Sequence, residues 1–356
     1  MPQYALTAND NNITALIADR FLSLSLDDET GFMSDSLEIV LADNIPGKRL
    51  AKPPTGAMLD LSLGYDQSLT DMGMFVVSGI GRAGGGGRVQ TLTIRAHAAP
   101  YQGTPKGVLD FQTQKTRAWA DGTTIGAMVQ KMAQEHGMSA SVSPSLASVP
   151  LPHIDQMDES DISFLVRLAR QYDAIAKPAG GMLLFVARGE SQSASGAALP
   201  VINLSVSDVA TWEWDEDRQQ APGTVVTTYH DPHKATLHAV SIGSGDPVRR
   251  IKRKYKTQAE ALAAAKAEMA RRARGAVRLR LTLPGNPLIT GEATLILDST
   301  FDPDVAGTWL VTKARHGLDA EAGYVCEISA ERPNSDPSVS AYTGGPVSDV
   351  ALAASG

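Results

Sequence analysis

Apolar residues in this chain change period twice. In the first third Leu59, Leu61 and Leu63 alternate with Asp60, Ser62 and Gly64, and Leu92, Ile94 and Ala96 alternate with Thr91, Thr93 and Arg95. In the last third Leu279, Leu281 and Leu283 do the same, and Trp212 and Trp214 share one face of another strand. A period of two gives a strand one buried and one wet face, as in an antiparallel barrel or sandwich. Between these regions the period becomes helical: Ile125, Met128, Val129, Met132 and Ala133 mark one face of a helix ending near Gly137. A chain of 356 residues is long for one core. The pattern therefore predicts a mainly β protein with an α+β insertion.

The most specific stretch is QMDESDISFLVRLARQYDAIAKPAGGMLLF, residues 156–185. Asp158 and Ser160 can accept from the orphan N–H groups of a helix start, and Asp161 lies near the positive end of its dipole. Ile162, Leu165, Val166 and Ala169 repeat at helical spacing, and Tyr172 falls a turn later. Lys177-Pro178 cannot continue the helix, because the residue before Pro is pushed to an extended conformation. Gly180-Gly181 turns the chain, and residues 182–186 read as a buried strand. Residues 141–152 read as irregular. Further on, Thr257-Gln258-Ala259-Glu260 reads as a capping box, hydroxyl and carboxylate each satisfying a backbone N–H, with Gly275 as the C-terminal cap. Residues 100–107 and 189–199 read as linkers, and 333–356 as a tail with little to bury.

The order of these pieces resembles the phage late control D family, the tail-hub proteins of contractile-tail phages, related to the hub part of type VI secretion spikes. In the centre the resemblance rests on ESD, FLVRLARQYD, a Gly-rich turn and LLF, with Arg117-Ala118-Trp119 and Leu151-Pro152-His153-Ile154 before them. Near the start it rests on Ser34-Asp35-Ser36-Leu37-Glu38-Ile39 and PPTGAMLDLSLGY at 53–65. Towards the end it rests on Trp212-Glu213-Trp214, the helix at 257–274, and Trp309-Leu310-Val311-Thr312 followed by Arg315-His316. It covers most of the chain; the glycine run at 84–87 departs from it, being longer than the expected link. The resemblance implies two tube-like β-barrel domains, each with a flanking helix or loop, around a central helix-containing module. The divisions are 1–105 for the first barrel, 106–199 for the central module, 200–332 for the second barrel and 333–356 for the tail. It further implies a homotrimer whose six barrels form a pseudo-six-fold ring between a hexameric tail tube and a trimeric spike. The implied partners are the tail tube protein and the tail spike protein, with tape measure and baseplate wedge proteins as further neighbours. The implied setting is a virion tail, part of a contractile injection system, assembled in the bacterial cytoplasm.

Other function classes find little support. The net charge of −7 argues against general affinity for nucleic acid or an anionic membrane. Cys326 is the single cysteine, which excludes an intrachain disulfide and cysteine-based structural zinc and fits a reducing cytoplasm. The start, MPQYALTAND, does not read as a signal peptide, and no apolar run approaches the ~20 residues a membrane helix needs. Gly79-Ile80-Gly81-Arg82-Ala83-Gly84 matches G-x-G-x-x-G, but three more glycines and an alternating strand follow it instead of a helix, so it reads as a hairpin loop. His230, Asp231, His233 and His238 flank Pro232 and read as a hairpin tip, not a metal site. His153 and Asp155 lie near Ser160 and Asp161, yet Ser160 already has a capping role, which leaves no activated nucleophile. Trp119, Trp212, Trp214 and Trp309 read as core. No catalytic residue, cofactor site or metal site is expected.

What remains is charge. Between Arg249 and Arg280 there are twelve Lys and Arg against two Glu, a net +10, which leaves −17 for the rest of the chain. Opposite-sign patches on one protomer suit a heterologous contact in a ring. The candidate subunit-interface residues are Arg249, Arg250, Lys252, Arg253, Lys254, Lys266, Arg271 and Arg272 on the basic side and Asp215, Glu216 and Asp217 on the acidic side. The alternative reading is a nucleic-acid-binding protein using the block 249–280, which is weakened by the scarcity of interleaved aromatics to stack bases, Tyr255 being the single one in the block. A third, a cell-wall hydrolase, would need paired carboxylates in a cleft, and no segment announces them.

Overall fold

A computed structural model of the chain describes residues 1–30, 35–45, 48–66, 68–98, 111, 113–179, 182–189, 199–217, 223–231 and 236–333. The first third forms β1 (Pro2–Ala8), β2 (Asn11–Asn12), β3 (Phe21–Glu29), β4 (Ser36–Ala42), β5 (Met58–Tyr65), β6 (Ser68–Gly85) and β7 (Arg88–Ala98). The centre forms β8 (Gln114–Trp119), α1 (Ile125–Glu135), β9 (Ser139–Val142), β10 (Ile154–Ser160), α2 (Asp161–Gln171), β11 (Ala174–Ala179) and β12 (Met182–Ala187). The last third forms β13 (Val201–Leu204), β14 (Thr211–Glu216), β15 (Thr224–Asp231), β16 (Thr236–Ile242), β17 (Val248–Tyr255), α3 (Gln258–Gly275), β18 (Val277–Pro284), β19 (Thr294–Leu297), β20 (Gly307–Asp319) and β21 (Gly323–Glu331).

The alternating leucines behave as their period predicts. Leu59, Leu61, Leu63, Leu92, Leu279, Leu281 and Leu283 are all buried, each side chain contributing about 1.5–3 kcal/mol on transfer from water. The strands they stand on form one sheet, ordered β14-β18-β21-β20-β3-β4-β7-β6-β5-β1-β2, with β19 also bonded to β20 and β13 to β19. The two strand-rich thirds are thus fused edge to edge. β3 pairs antiparallel with β20 from Ser23 opposite Asp319 to Glu29 opposite Lys313, and Leu24, Leu37 and Leu61 share a core with Leu281, Trp309 and Ile328. Among the described residues, hydrogen bonds do not close this sheet on itself. The glycine run is a hairpin turn: Gly86 and Gly87, at φ +57° and +84°, connect β6 to β7. The left-handed backbone they need is open to glycine at no steric cost.

The central module has its own core. All five residues of the predicted α1 face are buried. In α2 Ser160 is the N-cap, accepting from Ser163 N–H at 3.3 Å. Asp158 does not cap; it sits at φ +46° in a bulge of β10 and pairs with the Thr116 hydroxyl. The buried face of α2 is Phe164, Leu165, Leu168 and Ala169, while Ile162 and Val166 stay half-buried. The spacing reading chose a stripe rotated from the true one, because an apolar residue on each flank matches the same period. Residues 141–152 are more regular than expected: β9 pairs parallel with β12, and residues 144–147 make one helical turn. Gly180-Gly181, residues 100–107, most of 189–199 and nearly all of the tail lie outside the described residues.

The last third adds a second, smaller sheet, β16-β15-β17, covered by α3. The alanines of α3 allow close approach: Ala261, Ala264 and Ala265 meet Val225, Val240, Ile242 and Tyr255. Thr257 caps α3 as expected, accepting from Glu260 N–H at 3.2 Å. The Glu260 carboxylate, however, accepts the N–H of Lys256 at 3.1 Å, one residue before the cap. Gly275 lies in the last helical turn, and Ala276 is the C-cap.

Leu165→Ala is expected to destabilise the protein by about 2–5 kcal/mol, the range for a buried large-to-small change. Arg167→Ala, on the half-exposed side with Glu159 as partner, is expected to cost less than that in urea melts.

Candidate functional site

Among the described residues β17 is an outer strand bonded to β15 alone, and Arg249, Arg250, Lys252, Arg253 and Lys254 on it are exposed. Its register slips between Val226–Arg250 and Thr228–Lys254. A bulge and a row of like charges both protect an edge from pairing, so this strand presents a positive surface more than a template for another strand. On α3, Lys266 and Arg271 are exposed. Buried Glu268 collects Arg272 at 3.2 Å, Arg249 at 3.7 Å and Arg271. One carboxylate among three guanidinium groups leaves the surface net positive.

The acidic set lies elsewhere. Among the described residues β14 is an outer strand of the large sheet, bonded to β18 alone. Asp215 and Glu216 are exposed, and Asp217 is half-buried with its N–H donating to the Ala276 carbonyl at 2.8 Å. Glu213 pairs with Arg280 at 3.0 Å, and Asp215 stands opposite Arg278. Part of the sign separation seen in the sequence is therefore compensated between β14 and β18. Among the described residues no ion pair links Asp215 or Glu216 to the cations of β17. Trp309 and Trp119 are core, but Trp212 is 41% exposed on β14, against the expectation that it is buried.

The strongest polar constellation was not singled out by the sequence. Asp161, fully buried at the start of α2, accepts from Arg117 at 2.6 Å, Lys115 at 2.7 Å and Gln156 at 2.8 Å, and meets His136 Nε2 at 2.7 Å. Arg117 also clasps Glu135 at 2.7 and 2.9 Å. Burial raises the Asp161 pKa, but the bonds from His136, Lys115 and Gln156 and the charge of Arg117 outweigh it, and the carboxyl is held well below its usual range. Its lone pairs are spent on fixing β8, β10, α1 and α2 together, which is structural work. Its only sequence signal was a helix-start position, shared by many exposed acids.

Two further clusters join the central module to the rest. Lys177 Nζ lies 3.0 Å from Asp35, 3.3 Å from Asp28 and 3.0 Å from the Glu29 carbonyl. Arg274 clasps Asp173 and meets Glu331 at 2.9 Å, Arg188 meets Glu331 at 3.3 Å, and Gly189 N–H donates to Glu292 at 2.9 Å.

The arrangements that could suggest catalysis do not support it. His316 Nε2 donates to the Ile289 carbonyl at 2.9 Å, which leaves Nδ1 to accept from the Tyr324 hydroxyl at 2.8 Å, with Cys326 Sγ 3.2 Å away. Burial pushes the Cys326 thiol up to about 11 and lowers His316. A nucleophilic cysteine needs thiolate and access, and both residues are fully buried. His153 and Asp155 form an exposed pair at 3.0 Å, while Ser160 Oγ is engaged with Ser163. β15 and β16 pair antiparallel, with His230 opposite Leu237; the expected tip, with Pro232 and His233, lies outside the described residues. Among the described residues no group of His, Cys, Asp and Glu could hold a metal, and no helix is long and apolar enough to cross a membrane. A groove of about 560 Å³ between α1 and β9 is lined by Gly126, Gln130, Gln134, Met138, Ser139, Ala140 and Val142, without an acid or a base.

Comparison with known proteins gives one consistent result. Residues 78–322 match the family described as phage tail baseplate hub (GPD). A "probable baseplate hub protein" of Escherichia phage 186 is 30% identical over 385 aligned positions, covering 94% of both chains. The crystal structure of a 43 kDa tail protein of prophage MuSo2 from Shewanella oneidensis superposes with a TM-score of 0.68 at 14% identity, covering 94% of this chain and 99% of that one. The E. coli c3393 protein, a component of the type VI secretion system, superposes at 0.50 with 10% identity, covering 89% of this chain and 74% of that one.

Asp161→Asn is expected to destabilise the central module by about 3–5 kcal/mol at neutral pH, since it strands buried cations. Because the Asp161 pKa is lowered on folding, its contribution is present above about 4 and fades as the pH falls below that value. Urea melts across acid pH should show the difference between wild type and variant shrinking.

Proposed function

This chain belongs to the phage tail baseplate hub family, and from that premise we propose that it joins the six-fold tail tube to the three-fold spike as a homotrimer. The observation that carries this reading is the fusion of the two strand-rich thirds through β3 and β20. One chain then holds two tube-like units in a fixed relation, and three chains present six. Six units suit the tube protein, while the three-fold axis suits the spike. The division at 105, 199 and 332 into barrel, module, barrel and tail is part of this proposal. The reading assigns the protein a structural role in the virion tail and no reaction.

The basic surface of β17 and α3, with Arg249, Arg250, Lys252, Arg253, Lys254, Lys266, Arg271 and Arg272, faces a neighbouring subunit or a wedge protein in this proposal. Asp215, Glu216 and Asp217 serve an opposite contact. The whole-chain charge of −7 supports a protein partner over DNA.

Light scattering at micromolar concentration is expected to give about three times 37.6 kDa. A strictly monomeric mass, also beside the spike partner, would remove the trimer. The surface is tested by charge reversal. Arg271→Glu and Arg272→Glu would crowd new carboxylates against Glu268, so Arg250→Glu with Lys254→Glu on the exposed strand is the cleaner pair. It is expected to impair assembly and leave the circular dichroism unchanged. Should the wild type instead shift duplex DNA with a steep salt dependence, lost in the variant, the nucleic-acid reading replaces the protein one.

A further inference from the structure

Besides the contact of α2 with α3, where Gln171 donates to Glu260 at 3.3 Å, and the bond from Lys256 to the His153 carbonyl at 2.6 Å, the central module reaches the rest of the chain through two charged clusters. On one flank Lys177 of β11 enters between Asp28 near the end of β3 and Asp35 just before β4. On the other, Arg274 of α3 and Arg188 after β12 face Asp173, Glu331 and Glu292. The first cluster holds two carboxylates and one ammonium; the second holds three carboxylates and two guanidinium groups. Each has one carboxylate in excess, and both are largely shut off from water: the Lys177 side chain is 13% exposed and that of Arg274 3%.

Among the described residues no further cation forms an ion pair with Asp28, Asp35 or Glu292. Lys313 is engaged by Asp27 at 3.1 Å and Glu29 at 2.7 Å on β3. His316, behind Asp28, is buried with its pKa lowered. His97 is exposed on β7, opposite Ser36. Beside the second cluster Arg271 pairs with Glu268, which it shares with Arg249 and Arg272, and also feels the charge of Asp173, with Arg170 and Arg188 near it, but among the described residues it makes no ion pair with Asp173, Glu331 or Glu292. An uncompensated buried carboxylate is most easily accommodated by taking up a proton. Burial and the facing Asp28 raise Asp35 to about 7, while Lys177 and the Glu29 N–H oppose them. Burial likewise raises Glu292 to about 7, against Arg188, Arg274 and the Gly189 N–H.

We propose that the two clusters form a proton-operated latch: with one proton in each, the module is held on the sheet, and loss of both above neutrality loosens the docking while both bodies stay folded. The direction follows from linkage. A carboxyl whose value is raised in the docked state favours docking at low pH and loses that contribution as the pH rises through its docked value. Between pH of about 6 and 8 each carboxylate should weaken docking roughly tenfold, the change expected when a group titrating near 7 docked and near 4 undocked gives up its proton. The latch does not depend on the trimer.

Hydrogen–deuterium exchange of the full chain, corrected for the intrinsic pH dependence, tests it. Protection at β11 and at residues 187–189 is expected to fall about tenfold or more from pH 6 to 8, while α1 and β21 keep theirs. In the Asp35→Asn, Glu292→Gln double variant the change at the junction should vanish. Wild-type protection that is flat across this range overturns the latch. So does an equal loss in the double variant, or a parallel loss in α1 and β21, which would mean global loosening. If the double variant does not fold, Glu292→Gln alone, read at residues 187–189, gives the same decision for the second cluster.

Discussion

The pairing of β3 with β20 is the contact on which the rest of the molecule depends. Lys313 sits opposite Glu29 and also reaches Asp27, which pins the register from both sides. A slip of one residue would turn Leu24 and Leu26 out of the core and bring serines and acids in. The pairing joins residues 284 positions apart, so everything between them, central module included, is a loop closed by this one strand contact. Chain closure over such lengths grows only logarithmically in cost, but it is slow to find. During synthesis β3 has no partner on that edge until residues 307–319 exist. An open edge is exposed to wrong partners for that interval. The acids at Asp27, Asp28 and Glu29 and the cation at Lys313 make the correct partner electrostatically distinct.

Much of the fold was legible because period is a local property. The alternating leucines placed the strands, the five-residue face of α1 was read without error, and Ser160 and Thr257 announced their helices through capping chemistry. The failures share a cause. Whether Phe164 or Ile162 faces inward depends on where the neighbouring sheet lies, not on spacing. That Glu260 would bond Lys256 depends on the path of the chain before the cap. The fusion of the two thirds was invisible, because an alternating strand carries no mark of its partner.

The charged residues show the limit more sharply. The basic block of 249–280 stood out by density, and its exposed part on β17 is a surface. Yet Arg249, Arg271 and Arg272 turn to Glu268, and Arg274 is buried against Asp173 and Glu331. Composition counts such residues alike. Asp161 and Lys177, which hold the module together and hold it in place, lie outside the basic block altogether. A single buried charge has large consequences because its solvation must be replaced in full, while a run of exposed ones need do little.

Cys326 has a practical meaning beyond packing. It is the single thiol of the chain, fully buried, and kept protonated by its surroundings. It is therefore silent towards maleimides and iodoacetamides under native conditions. Any cysteine introduced at an exposed position becomes the unique addressable atom of the protomer, with no need to remove the native one. A fluorophore or spin label could be placed on β17, on β14 or beside Lys177 in turn, and each would report on one surface alone.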